Sequence, residues 1–161
     1  MQEIIDQIQT TYGSLDEPNF SFRKQQGNTR PYDELVAAII EELGLAADEY
    51  TDLNDDSCFG YTLSGDDGSW ILELSMVGPF AAFSRVHENG RQILATDDRD
   101  LTAPERRIVD LLTGHKLRIM RREELEQPID LRLFNTDSEN VRIYQALFSD
   151  TDILPWAYSE S

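Results

Sequence analysis

Gly65-Asp66-Asp67-Gly68 is the segment that most restricts how this chain can fold. Two glycines around two aspartates make a tight turn, and the flanking residues alternate between large apolar and small or polar side chains. Pairing Leu63 with Trp70 across the turn places Tyr61 opposite Leu72 and Phe59 opposite Leu74. All six then share one face, as a half-buried hairpin requires, and Trp70 is expected in the core. Cys58, Gly60, Thr62, Ile71 and Glu73 fall on the other face. A slip of one residue would turn the whole apolar set outward, so this register anchors any fold the chain can adopt.

The pattern continues on both sides of the hairpin. Val77-Gly78-Pro79 predicts a tight connection to a strand over residues 80–86, and Asn89-Gly90 predicts a two-residue hairpin turn that sets Glu88 opposite Arg91 and Val86 opposite Ile93. Residues 57–96 therefore read as an antiparallel meander. Ile4, Ile5, Ile8 and Tyr12 have helical spacing, which predicts a helix over 2–12 ended by Gly13. A second helix has Pro31 in its first turn, Asp33 and Glu34 near the positive end of its dipole, a stripe of Leu35, Val36, Ile39, Ile40 and Leu43, and Gly44 at its close. Thr102-Ala103-Pro104-Glu105 combines a capping box with an early proline, so a third helix starts there and ends at Gly114. Residues 20–25 read as a short strand, 117–120 as an extended piece and 123–126 as a helical turn. Residues 129–134 and 141–148 read as two strands joined by Asn135-Thr136-Asp137-Ser138. At 161 residues with no internal repeat or linker, the expectation is one α+β domain over 1–161, an antiparallel meander packed with about three helices.

Charge sets the class of partner. Between Pro31 and Ser84 there is no Lys, Arg or His, while the same stretch holds twelve carboxylates: Asp33, Glu34, Glu41, Glu42, Asp48, Glu49, Asp52, Asp55, Asp56, Asp66, Asp67 and Glu73. The whole chain carries a formal charge of -17, yet at 40% hydrophobic residues it is too apolar to stay unfolded. Such a field repels nucleic acid and anionic membranes and attracts a basic protein. Solvated acidic surface kept for solubility is the plainer alternative. Arg106, Arg107, Lys116, Arg118, Arg121, Arg122, Arg132 and Arg142 crowd the last third, where Glu123, Glu124, Glu126 and Asp130 can neutralise them. The first residues, Met1-Gln2-Glu3-Ile4-Ile5-Asp6, have neither a basic start nor an unbroken apolar run, so the expectation is a cytoplasmic protein with no membrane span.

No catalytic set emerges. Asp52, Asn54 and Asp56 copy the first ligand positions of a calcium loop, but Ser57 stands where the loop needs glycine and Leu63 where it needs glutamate. Asp97-Asp98-Arg99-Asp100 reads as a connecting loop. Cys58 is the only cysteine and sits among acids that raise a thiol pKa, the wrong direction for a nucleophile. His87 and His115 are too few for most zinc catalysis. No metal or cofactor is expected, and the chain is read as a non-enzyme.

Three segments resemble bacterial immunity proteins, the antidotes encoded beside contact-dependent inhibition and other polymorphic toxins. They are residues 68–80 (GSWILELSMVGPF), 123–129 (EELEQPI) and 144–156 (YQALFSDTDILPW). The resemblance implies a non-enzymatic cytoplasmic protein that binds one toxin domain and covers its active site. A nuclease with a basic cleft is a natural target for a carboxylate surface. The contact is then expected to centre on Asp52, Asp55, Asp56, Asp66, Asp67 and Glu73, acids in loops before and within the first hairpin or facing away from Trp70. The alternatives are an acidic nucleic-acid mimic or adaptor for another basic protein, and a small carboxylate-dependent hydrolase. The terminal run Ile153-Leu154-Pro155-Trp156-Ala157-Tyr158 is expected to dock Trp156 on the domain, the alternative being an aromatic anchor for the partner.

Overall fold

The hairpin forms in the register read from the sequence. In a computed structural model that describes residues 1–156, β2 (Cys58–Gly65) pairs antiparallel with β3 (Gly68–Ser75), Leu63 opposite Trp70, Tyr61 opposite Leu72 and Phe59 opposite Leu74. Asp66 and Asp67 make the turn, and Gly68 takes a φ of +143° that a side chain would oppose. Beside β2 lies a strand absent from the sequence reading, β1 (Ala46–Glu49), and beyond β3 come β4 (Phe80–His87) and β5 (Gly90–Ile93) in antiparallel order. A short β6 (Arg118–Ile119) joins β4 in parallel, so the six-stranded sheet is mixed.

Helices cover both faces of the sheet, which splits the interior into two cores. On the Trp70 face, α3 (Asp33–Leu43) contributes Leu35, Val36 and Ile39, and α4 (Ala103–Gly114) contributes Ile108, Val109 and Leu112, all packed on Phe59, Tyr61, Leu63, Trp70, Leu72 and Leu74. The Thr102–Glu105 capping box starts α4 as its sequence requires. On the opposite face, α1 (Gln2–Tyr12) buries Ile4, Ile8 and Tyr12 beside Cys58, Val77 and Ala82. A short α5 (Arg122–Leu125) and the chain after it complete that second core, with Leu125, Ile129, Leu131, Leu133, Phe148 and Trp156 buried. The fold is α+β, with more helices than the three expected.

Four local expectations fail for identifiable reasons. Residues 21–29 form α2 (Ser21–Thr29) rather than a strand: the Asn19 side chain accepts the Ser21 N–H at 2.9 Å and starts a turn. The alternating rings of Phe20 and Phe22 both pack edge-on against Tyr12, so their spacing did not signify a strand. The β4–β5 hairpin turns at Glu88-Asn89, with His87 opposite Gly90, Val86 opposite Arg91 and Ser84 opposite Ile93. Neither Glu88 nor Asn89 takes the positive φ that an Asn-Gly turn would use, and Gly90 alone does at +138°. The register is therefore two residues off, a shift that keeps every side chain on its expected face. Gly114 stays inside α4, which is capped by His115 while Lys116 takes the left-handed conformation.

The C-terminal strands are the fourth failure. Residues 129–134 do alternate buried and exposed, but they pair with no strand; single bonds tie them down instead, from Arg132 N–H to Leu15 O and from Ile129 N–H to Val141 O. Residues 143–147 coil into α6 (Ile143–Leu147), whose five side chains are all buried. A short run buried on every side has no period to tell helix from strand. Trp156 docks, as expected: it is 1% exposed, its indole N–H donates to Glu126 Oε1 at 3.2 Å, and its ring meets Tyr144 edge-on. Ala157 and Tyr158, in the same predicted run, lie outside the described residues.

Candidate functional site

The second face of the central hairpin was expected to look outward, and only part of it does. α6 and the loop after it lie over its lower half and leave a pocket of about 560 Å³ over its upper half. The floor is Cys58, Ile71 and Glu73; Val86 and Arg91 form one wall, and Tyr144, Ser149, Thr151 and Pro155 form the other. Tyr50, just after β1, closes a third side. Its ring lies flat against β2 because residue 60 is glycine: a Cβ there would stand 2.5 Å from Tyr50 Cε2. This volume is in the range of small-ligand pockets.

Glu73 is the chemical centre of the pocket. At 2% exposure it accepts the Tyr144 hydroxyl on Oε2 at 2.7 Å, and Cys58 Sγ approaches the same oxygen at 4.0 Å. Arg91 Nη2 donates to the Tyr144 hydroxyl at 3.0 Å and lies 3.1 Å from Glu73 Oε1. That ion pair is the contact Glu73 Oε1 makes, outside hydrogen-bond geometry. Arg91 stands on β5, two strands from Glu73, and the β4 residues between them on that face, Ala82 and Ser84, are small enough to leave its side chain room. Burial raises the Glu73 carboxyl above the usual carboxylate range, against the Arg91 charge and the Tyr144 hydrogen bond that favour ionisation. Burial likewise pushes the Cys58 thiol well up, and Glu73 adds to the effect, so Cys58 is held as a neutral thiol.

The six acids expected at a contact surface divide. Asp52, Asp66 and Asp67 are exposed and Asp55 is partly so, whereas Asp56 and Glu73 are buried. The expectation that Glu73 is exposed is corrected, because the C-terminal segment covers its half of the sheet and Arg91 supplies its counter-charge. Nor do the six form one patch. Asp52–Asp56 precede β2 and Asp66–Asp67 follow it, so eight strand residues, about 25 Å, separate them.

The loop 52–56 is organised by its own hydrogen bonds. Asp56 Oδ2 accepts the Asp52 N–H at 2.9 Å, Asp56 Oδ1 accepts the Ser149 hydroxyl at 2.8 Å, and Asp52 Oδ1 accepts the Asn54 N–H at 3.0 Å. The buried Arg23 donates to Asn54 O at 2.9 Å and to Ser57 Oγ at 3.0 Å. A guanidinium thus reaches the carbonyl of the loop that resembled a calcium site, and no group of three or more His, Cys, Asp or Glu able to hold a metal occurs among the described residues. Asp56 also lines the pocket, which places this acidic loop at its mouth.

Arg91, Tyr144 and Tyr50 are the site residues that sequence reasoning missed. Arg91 was paired on paper with Glu88, and only the two-residue shift of the β4–β5 hairpin would have placed it opposite Val86. Tyr144 was placed on a strand, and nothing local marks it. Among the described residues no helix is long and apolar enough to cross a membrane. Comparison with known protein families, curated proteins and solved structures finds no match to this chain, so its geometry and charge carry the functional reading.

Proposed function

We propose that this chain is a cytoplasmic immunity-type protein that binds a basic toxin domain and blocks it, with no chemistry of its own. The observation that carries the reading is the fate of the twelve carboxylates between residues 31 and 84. Asp33 and Glu49 pair with Arg30, Glu42 with Arg107, and Glu73 with Arg91. The other eight, Glu34, Glu41, Asp48, Asp52, Asp55, Asp56, Asp66 and Asp67, form no ion pair among the described residues. Three cations of the last third are engaged elsewhere: Arg118 pairs with Glu124, Arg121 with Asp97 and Arg122 with Glu126. Uncompensated charge of this size works against the compact state, and a basic partner relieves it.

The test is association with a basic toxin domain encoded beside this chain, followed by stopped flow at increasing salt. Steered association slows steeply as ionic strength rises. A flat salt dependence overturns the acidic surface as the contact. Failure to protect cells from the toxin overturns the immunity role and leaves an acidic adaptor for another basic protein.

A further inference from the structure

Three loops, 52–56, 134–136 and 149–152, are bonded into one platform, and Asp56, Ser149 and Thr151 place its edge on the pocket. Asp150, 4% exposed, accepts the Phe134 and Asn135 N–H groups on Oδ2 at 2.9 and 3.0 Å and the Thr136 hydroxyl on Oδ1 at 2.7 Å. Its own N–H donates to Asp55 O at 3.0 Å, and Asn135 Nδ2 donates to Asp55 Oδ1 at 2.7 Å. What this buried carboxylate holds in place is an exposed ring. Phe134 is 79% exposed, the most exposed large apolar side chain among the described residues, and it leans on Phe20 with 5.1 Å between ring centroids. Leu53, 41% exposed, rests on α2 where Gly27 makes room: a Cβ there would stand 2.8 Å from Leu53 Cδ1. Glycine weakens a helix interior, and here its missing side chain lets the loop settle on α2.

A lone apolar side chain on a surface is ordinary, but this ring is held by a bonded loop before anything binds, which lowers the entropy lost on docking. Acids surround it: Asp52 and Asp55 on the first loop, Asp137 just past the second, Asp152 on the third, and Asp16 and Glu17 beside Leu15, whose O accepts the Arg132 N–H. Lys24 and Arg132, the exposed cations of these segments, are outnumbered, so the field over the platform is negative. That field repels nucleic acid, an anionic membrane and a second copy of this chain. Resting on the reading above, we infer that the platform is the docking surface for the basic partner. Phe134 enters an apolar recess of the partner, Leu53 packs at its side, and lysines or arginines around that recess meet the acids. An aromatic anchor of this kind governs how slowly a complex separates, while the charged rim governs how fast it forms.

The experiment pans a phage-displayed library of random short peptides against the immobilised full chain and, separately, measures binding of the basic domain encoded beside it. Enriched peptides should combine Arg or Lys with Leu, Phe or Trp and shift the backbone amides of residues 52–56 and 134–137 in NMR spectra. Their affinity for Phe134→Ala should be lower by about tenfold or more. The same variant should release the basic domain about tenfold faster while associating at an unchanged rate, since no charge is altered. Amides of β2 and β3 that keep their positions verify that the variant is folded. No enrichment, enrichment of neutral or acidic peptides, or peptides that bind Phe134→Ala unchanged overturn the inference. A basic domain that binds Phe134→Ala as tightly as the unaltered chain also overturns it, and the partner reading then stands with its contact elsewhere. Basic peptides that need Phe134, with no basic domain binding the chain, leave the platform standing and overturn the partner reading instead.

Discussion

On the α3–α4 face of the sheet, Glu105 accepts four hydrogen bonds. The Thr102 N–H and Arg85 Nη2 reach Oε1 at 2.8 and 2.5 Å, and the Trp70 indole N–H and Arg85 Nε reach Oε2 at 2.8 and 2.7 Å. On the opposite face Glu73 has the same kinds of partner, an arginine from two strands away and an aromatic donor, yet its Oε1 meets only the Arg91 guanidinium, 3.1 Å away and outside hydrogen-bond geometry. Burial pushes both carboxyls up. Around Glu105 the hydrogen bonds from Arg85, Thr102 and Trp70 reverse that and hold it at about 2, whereas around Glu73 burial prevails. Two groups of similar composition therefore do different things. The first joins a helix cap, a core indole and a strand into one fixed clamp. The second is a buried ion pair with one hydrogen bond from Tyr144, beside a pocket, and such a pair adds little net stability because both charges are desolvated.

The largest expected effect is on the clamp. Trp70→Ala removes a buried indole and one of the four donors to Glu105, and should cost about 3–5 kcal/mol. At roughly 2–4 °C per kcal/mol for a chain of this size, the midpoint of thermal unfolding falls by about 10 °C. An unchanged midpoint would mean that the clamp contributes nothing and that the two faces are equivalent.

Paired replacements come next. Arg85→Met with Glu105→Gln removes the ion pair, weakens the α4 cap and leaves the Trp70 N–H a poorer acceptor, for a loss of about 2–4 kcal/mol in urea unfolding. Arg91→Met with Glu73→Met, combined with Tyr144→Phe so that no buried hydroxyl loses its partners, exchanges the buried group for apolar side chains of similar size, a change that is often neutral or stabilising, so its stability should move by less than about 1 kcal/mol. Equal losses would break the comparison.

The two carboxyls also predict opposite pH slopes. Glu105 sits well below its ordinary value of 4.5, so its contribution is complete above about pH 4.5 and is lost as pH falls toward about 2. Glu73 sits above 4.5, so its contribution is complete below about pH 4.5 and is lost as pH rises through its folded value. Urea midpoints of the unaltered chain, Glu105→Gln and Glu73→Gln across this range check both signs. The gap between the unaltered chain and Glu105→Gln should close on acidification, and the gap to Glu73→Gln should narrow as pH rises. Slopes of the same sign would remove the distinction between clamp and pocket.

The sequence made one of these groups far easier to find than the other. Each half of the clamp follows from a local rule: strand alternation sets Trp70 inward, and a capping box names Glu105 and Thr102. The pocket depends on chain that comes back from far away. Glu73 is buried only because residues 143–156 return over β3, and that return hinges on a five-residue helix with no polar face to announce it. Arg91 reaches Glu73 only because a hairpin turns one residue earlier than Asn89-Gly90 suggests, and the two side chains span a strand of small residues. Loop acids such as Asp66 and Asp67 were legible because a tight turn leaves side chains nowhere to go but outward. Glu73 was misread as a surface acid by the same alternation that correctly assigned its face, since alternation says which face a residue takes and not what covers that face.

The smallest effect is kinetic and compares the two faces as approach surfaces. Asp52→Asn with Asp55→Asn neutralises the mouth of the pocket, and Glu34→Gln with Glu41→Gln neutralises two exposed acids of α3 on the clamp face. Both pairs remove the same charge, and neither touches a core side chain, so each should leave stability within about 0.5 kcal/mol. A partner that docks at the pocket is steered mainly by the nearer acids, because screening confines the field to about 10 Å at ordinary salt. The Asp52/Asp55 pair should therefore slow association severalfold at about 0.1 M salt, while the Glu34/Glu41 pair changes it little, and the difference should fade as salt is raised further. Equal slowing by both pairs would show that net charge alone guides the partner and that the pocket face has no special part in the encounter.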